Sequence, residues 1–224
     1  MQNEISAVIF DLDGVITCTD EYSYLSWKRV AEELNLPFNR EINEKFRGIS
    51  RFYCAKILLK NHTNEITDEL VNTVAEMKNK IYQEYLEKMT GEIVSNDVKH
   101  TLNELKKRGY KLAVGSSSKN APFILKKIGY FNFFDAIADG NQIKNSKPDP
   151  EVFLLAAKKL DKDVSDCIIV GDAEVDMKAA KAGNFKSASI SYASKIGLGD
   201  YQLNKLSDLL KILPSLNKSI SIGL

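Results

Sequence analysis

Ser6-Ala7-Val8-Ile9-Phe10 runs directly into Asp11-Leu12-Asp13-Gly14. A short, unbroken apolar run is the pattern of a strand buried on both faces, not of a half-solvated one. The loop that follows, Asp11 to Thr19, is polar. No comparable strand occurs before Lys111. The intervening residues carry helical spacing instead: Trp27, Val30, Ala31 and Leu34, and then Leu70, Val74, Met77, Ile81, Tyr85 and Met89. Thr67 suits the N-cap of that second helix, with Asp68 and Glu69 in its first turn.

After Gly91 the texture changes to alternation. A helix carrying Val98, Leu102 and Leu105 ends in Lys106-Lys107-Arg108-Gly109, a basic last turn followed by glycine. Lys111 to Gly115 reads as a strand. Ser118 is expected to cap a helix that carries Phe123, Ile124, Leu125 and Ile128. A short strand covers Asp135 to Ala138. Asp149 caps a helix with Pro150 in its first position, filled by Phe153, Leu154, Ala157 and Leu160. A strand from Cys167 to Val170, a helix to Gly183, a strand from Ser187 to Ser191 and a helix from Ser207 to Leu213 complete the chain. Strands alternating with helices predict an α/β fold with a doubly wound, parallel, Rossmann-like sheet. The all-helical stretch predicts an inserted cap domain. The expected division is a core of residues 1–17 and 93–224 and a cap of residues 18–92.

Composition narrows the class. The 224 residues carry a formal net charge of +1, so no broad field attracts nucleic acid or an anionic membrane. Three scattered cysteines, Cys18, Cys54 and Cys167, and two histidines, His62 and His100, form no zinc pattern. A reduced, cytoplasmic setting is expected. The start of the chain has neither a basic segment nor a cleavage site, and no apolar run suffices to span a bilayer. His62 is expected in a surface loop, His100 on an exposed helix face, Cys54 and Cys167 in packing, and Cys18 accessible.

Ligands of such sheets bind at the carboxyl edge, and four polar clusters follow strands there. In Asp11-Leu12-Asp13-Gly14, two carboxylates at i and i+2 can converge if the loop turns at Gly14; by itself the motif is also an ordinary solvated turn. Gly115-Ser116-Ser117-Ser118-Lys119-Asn120 offers hydroxyls, backbone N–H groups and an ammonium at a helix start, a ready anion site. In Lys147-Pro148-Asp149-Pro150, the rigid turn can hold the lysine in place. Gly171-Asp172-Ala173-Glu174-Val175-Asp176 places a carboxylate where it can join Asp11 in holding Mg²⁺. Each cluster alone has a structural explanation. The four together, in this order, point to chemistry.

These clusters resemble the four motifs of the haloacid dehalogenase superfamily, and within it the β-phosphoglucomutases. The likeness is carried by FDLDGVIT (Phe10 to Thr17), Glu21-Tyr22, Trp27-Lys28, RGISR (Arg47 to Arg51), SSSKNAPFIL (Ser116 to Leu125), FDAIAD (Phe134 to Asp139) and SKPDPEVF (Ser146 to Phe153). It covers the chain from Ile5 to about Gly183. The resemblance implies that Asp11 is a nucleophile and Mg²⁺ ligand. Asp13 is then the general acid/base, with its backbone carbonyl on the metal, and Asp172 completes the metal site. Ser116 and Lys147 hold the transferring phosphate. Arg51, Ser118, Lys119 and Asn120, with Ser117 alongside, face the other phosphate, and Trp27, Gly48 and Lys78 of the cap contact the sugar. Four positions depart from the mutase pattern. Ser23 replaces a histidine, Cys18 an aspartate, Arg47 a lysine and Gly171 a glutamate, and Asp176 can compensate for the last.

The activity so implied is Mg²⁺-dependent phosphoryl transfer through an aspartyl phosphate, converting β-glucose 1-phosphate to glucose 6-phosphate. A sugar-phosphate phosphatase is the alternative, favoured by the Gly-Asp-x-x-x-Asp spelling and by Ser23. The full set of distal phosphate residues places the mutase ahead. A sugar-phosphate binder that has lost catalysis is a third reading, opposed by the intact Asp11, Asp13, Lys147 and Asp172. The expected partner is a small sugar phosphate, and the expected state a monomer.

Overall fold

A computed structural model describes residues 4–60 and 65–216 of the chain. Its helices and strands run in the order β1 (Ala7–Phe10), α1 (Asp20–Glu33), α2 (Arg40–Glu44), α3 (Arg51–Leu59), α4 (Asp68–Leu86), α5 (Asn96–Lys107), β2 (Lys111–Gly115), α6 (Ala121–Lys127), β3 (Ala136–Ala138), α7 (Glu151–Lys159), β4 (Cys167–Gly171), α8 (Glu174–Ala182), β5 (Lys186–Ser189), α9 (Ser191–Lys195), β6 (Tyr201–Gln202) and α10 (Leu209–Ile212). The strands form one parallel sheet in the order β3-β2-β1-β4-β5-β6. All four residues of β1 are buried, as a central strand covered on both faces must be.

Alternation along the strands divides the core in two. Val8 and Phe10 point into a cluster with Leu102 and Leu105 of α5, Ile124 and Leu125 of α6 and Leu209 of α10. Ala7 and Ile9 point the other way, against Val152, Phe153, Ala156 and Ala157 of α7 and Ala179 and Ala180 of α8. Fully burying each large apolar side chain contributes about 1.5–3 kcal/mol. The helices inserted after β1 have an apolar cluster of their own: Trp27, Val30 and Ala31 of α1, Phe46, Cys54, Ala55, Leu58 and Leu59 around α3, and Val71, Val74, Ala75 and Ile81 of α4. The C-terminal part of α4 leaves that cluster. Tyr82 and Leu86, with Met89 beyond, pack into the sheet's own core.

Local expectations differ from the structure at several points. Helix α6 begins at Ala121 with Asn120 at its N-cap, and the Ser118 hydroxyl accepts the Asn120 N–H within the preceding loop (3.2 Å) instead of capping the helix. Asp149 accepts the Glu151 N–H (2.9 Å), so α7 starts one residue later than expected. Leu154 is 41% exposed, and Val152 and Ala156 take the buried face of α7. On α4 the buried face is Val71, Val74, Ala75, Lys78, Ile81, Tyr82 and Leu86, rotated from the expected stripe; Leu70, Met77 and Tyr85 lie at its edge. Lys78 hid this face, because a lysine is not counted as apolar. Strand β5 ends at Ser189, and Ser191 turns with φ +57° into α9. The C-terminal helix is a 3₁₀ turn, Leu206–Asp208, continued by α10. The two-residue strand β6 is too short to leave a pattern. Thr67 caps α4 as expected, its hydroxyl accepting the Leu70 N–H at 3.1 Å. Cys54 and Cys167 are buried, while Cys18 and His100 are exposed. His62 lies outside the described residues. No helix among the described residues is long and apolar enough to cross a membrane.

Candidate active site

Strand register positions the site. Phe10 pairs with Val114 on one side and Val170 on the other, so Asp11, Ser116 and Asp172 emerge close to one level of the carboxyl edge. The strand order reverses direction between β1 and β4, the place where open α/β sheets form a crevice. Gly14 closes the loop with φ +83°, and a Cβ on it would lie 2.2 Å from Asp172 Oδ2. No side chain fits there, so the turn requires glycine and brings the first loop against the fourth-strand carboxylate.

Lys147 is the fixed point of the site. Its side chain is fully buried, and Nζ lies 2.7 Å from Asp11 Oδ1 and 2.8 Å from Asp176 Oδ1. Burial alone would lower its pKa; the charges of Asp11 and Asp176 outweigh that and hold it above the ordinary lysine value. Burial pushes the Asp11 carboxyl up to about 7, with Lys147 pulling against the shift and Asp176 adding to it. Burial also raises Asp13 to about 6, opposed by the Thr19 hydroxyl that donates to its Oδ1. Tyr82 Oη in turn donates to Thr19 Oγ1 at 2.9 Å. Asp172 is raised well above the carboxylate range by burial, then by Asp176 and Asp11, with Arg47 opposing.

Carboxylate oxygens of Asp11, Asp172 and Asp176 lie within 4.8 Å of one another. Asp176 is wholly buried; Oδ2 accepts the Ala173 N–H (3.0 Å), and Oδ1 has no well-aligned hydrogen-bond donor. Three buried carboxylates beside one lysine leave excess negative charge on hard oxygen donors, which fits Mg²⁺. Gly171 explains the route by which Asp176 arrives: a Cβ on residue 171 would lie 2.4 Å from the Cβ of Asp176. The carboxylate of residue 176 occupies the volume a side chain at 171 would fill.

A cavity of about 350 Å³ opens from Asp11, Asp13 and Asp172 toward the helices inserted after β1, and Trp27, Gly48, Arg51, Lys78, Ser116, Ser117, Ser118, Lys119 and Asn120 all line it. Lys147 and Asp176 sit behind Asp11. Trp27 is buried, edge-on to Phe46 at 5.2 Å, and so serves as packing and as wall. Lys78 Nζ lies 3.8 Å from the centroid of the Tyr82 ring, and burial lowers its pKa to about 8. An ammonium over aromatic faces keeps part of its solvation in that form. On the cavity wall, the largely buried Arg51 pairs with the exposed Glu76 at 2.7 Å. The Asn120 amide donates to Asn79 Oδ1 at 2.9 Å.

Sequence reasoning missed Thr19, Arg47, Asn79 and Tyr82. Arg47 carried a signal, since it replaces the lysine expected before Gly48. The other three had none. Gly48 has φ +72°, and a Cβ on it would lie 2.4 Å from Val175 Cγ2 at the first turn of α8. Gly48→Ala is therefore expected to hold the cap loop away from the sheet. The expected result is a fall in kcat/KM of about tenfold or more, against a left-handed strain cost of about 1–3 kcal/mol. Steady-state kinetics and thermal melts check it. Adding Val175→Ala should restore part of the rate, and a Gly48→Ala enzyme with wild-type kcat/KM would contradict the close approach.

The profile of the haloacid dehalogenase-like hydrolases matches residues 8–190. The β-phosphoglucomutase of Bacillus subtilis (strain 168) is 36% identical over 211 residues, covering 92% of each chain. A phosphorylated carbohydrates phosphatase of Thermotoga maritima is 29% identical over 187 residues, covering 81% of this chain and 83% of that one. Among solved structures, the β-phosphoglucomutase of Clostridium difficile superposes with a TM-score of 0.86 at 31% identity, covering 92% of this chain and 93% of that one.

Proposed function

Since the chain belongs to the haloacid dehalogenase-like hydrolases and is β-phosphoglucomutase-like within them, we propose that it isomerises a hexose phosphate, β-glucose 1-phosphate to glucose 6-phosphate, by relaying a phosphoryl group through Asp11. One observation carries this reading. A single cavity is lined by Asp11, which Lys147 backs, and by Asp13, and also by Arg51, Ser118, Lys119 and Asn120. A bisphosphorylated sugar needs two anion-binding ends, and a simple hydrolase needs one.

In this reading an Asp11 oxygen attacks phosphorus in line. The P–O bond to the leaving sugar oxygen breaks, and that oxygen takes a proton from Asp13. In the return step a second sugar hydroxyl gives its proton to Asp13 and attacks the aspartyl phosphate. Burial raises the pKa of Asp13 to about 6, so near neutral pH it holds its proton far more often than an ordinary aspartate does. The Thr19 hydroxyl orients it. Lys147 offsets negative charge on Asp11, and Ser116 lies beside it on the cavity wall. Asp11 and Asp172, with the Asp13 backbone carbonyl and Asp176 nearby, would hold Mg²⁺, which offsets phosphoryl charge when bound.

A phosphatase reading is favoured by Gly171 with Asp176 and by Ser23 on the cavity wall, and it has a phosphatase and a pyrophosphatase among the relatives. The two readings separate in a paired assay of isomerised hexose phosphate against free phosphate, with and without added hexose bisphosphate. Isomer in excess and stimulation by bisphosphate are expected. Free phosphate as the dominant product would replace the mutase with the phosphatase.

A further inference from the structure

Arg47 is the one cap residue whose cationic group is paired with a carboxylate of the sheet edge among the described ion pairs. It sits in the loop between α2 and α3, and its guanidinium is shared three ways. Nη1 is 2.6 Å from Asp172 Oδ2, Nη2 is 2.7 Å from Asp20 Oδ2, and Nε is 3.0 Å from Glu44 Oε2. Resting on the reading of Asp11 and Asp172 as metal ligands, we propose that Arg47 and a divalent cation are alternative occupants of Asp172, so that metal loading releases the loop carrying Arg47.

Three observations support the competition. First, Asp172 is almost wholly buried and Arg47 only a quarter exposed, so the pair is weakly screened and a second cation on the same carboxylate is repelled. Second, Asp172 Oδ2, the oxygen that Arg47 holds, is packed so close to Gly14 that a Cβ there would lie 2.2 Å from it, so the carboxylate sits in a crowded place. Third, the residue after Arg47 is Gly48, seated against Val175 and Ala173. Loss of the Asp172 pair removes an ion-pair attachment of this loop to the sheet edge, so in the proposal the position of the cap follows occupancy of the metal site. Asp20 and Glu44 remain as partners for Arg47 in the released position, which keeps the guanidinium paired. By linkage, the factor by which Arg47 weakens metal binding equals the factor by which metal weakens the loop's hold.

The test is a calorimetric titration of the full chain with Mg²⁺ alone, no substrate being present. Arg47→Gln is expected to bind Mg²⁺ about tenfold more tightly than wild type, within the usual range of coupling between sites. In parallel, small-angle scattering is expected to show the wild-type radius of gyration increasing on Mg²⁺ addition, and Arg47→Gln already at the larger radius without it. If circular dichroism shows Arg47→Gln unfolded, Arg47→Lys carries the same comparison with a smaller gain, since an ammonium cannot fork between Asp172 and Asp20. Equal or weaker Mg²⁺ binding by the folded variant overturns the proposal. Asp172→Asn separates the causes. If it loses Mg²⁺ binding while Arg47 variants bind as wild type, only the competition falls. If Asp172→Asn binds Mg²⁺ like wild type, the metal-site reading falls with it.

Discussion

Asp11→Asn is expected to lower turnover by about 10⁴-fold or more while leaving the protein folded. Loss of a catalytic nucleophile typically costs this much, because the remaining groups can bind substrate but cannot form the covalent intermediate. The structure says why the fold survives. An amide has the shape of the carboxylate, and Lys147 keeps Asp176 as a partner at 2.8 Å. Removing one of three clustered carboxylates relieves repulsion, since Asp176 and Asp11 both raise the pKa of Asp172, and Asp176 raises that of Asp11. The melting temperature should therefore stay level or rise. Steady-state rates, thermal melts and intact-mass detection of a phosphorylated enzyme check all three statements. Turnover within tenfold of wild type, or a phosphoryl adduct still formed, would remove Asp11 from the chemistry.

Lys147→Met should damage both folding and chemistry. The lysine side chain is fully buried and paired to two buried carboxylates. Methionine matches much of its volume, so the loss is electrostatic and not steric. Breaking a buried pair by removing one partner typically costs about 3–5 kcal/mol, because the other charge stays behind in a low-dielectric site. Urea unfolding should show a lower midpoint with an unchanged slope. Turnover should fall as well, since no other cationic side chain among the described residues pairs with Asp11. The double variant Lys147→Met with Asp176→Asn should regain part of the stability and none of the rate. A single variant as stable as wild type, within about 1 kcal/mol, would mean that the ion pairs contribute little to folding.

What the sequence disclosed depended on how locally each signal is written. The run from Ala7 to Phe10, the alternation after Gly91 and the four clusters are local, and each lies within a few residues of the strand that presents it. Register then brings them together, because parallel neighbours end level. Tyr82 and Thr19 were illegible for the opposite reason: they meet across 63 positions, through the packing of α4 onto the sheet core. Lys78 was placed in the site through resemblance, yet its burial on an otherwise apolar stripe was hidden by its own charge. Ser118 was misassigned as a helix cap because its hydroxyl satisfies a loop N–H two residues on, a choice that spacing alone does not distinguish from a true cap.

Residues 171 and 176 compete for one volume, and this constrains the routes by which the chain can change. A lineage acquiring a side chain at 171 while keeping aspartate at 176 would pass through an overcrowded interior, and one shortening 176 first would strip Lys147 of a counter-ion. Neither order is smooth, so the pair is expected to show sign epistasis: each substitution harmful alone, tolerated only in company.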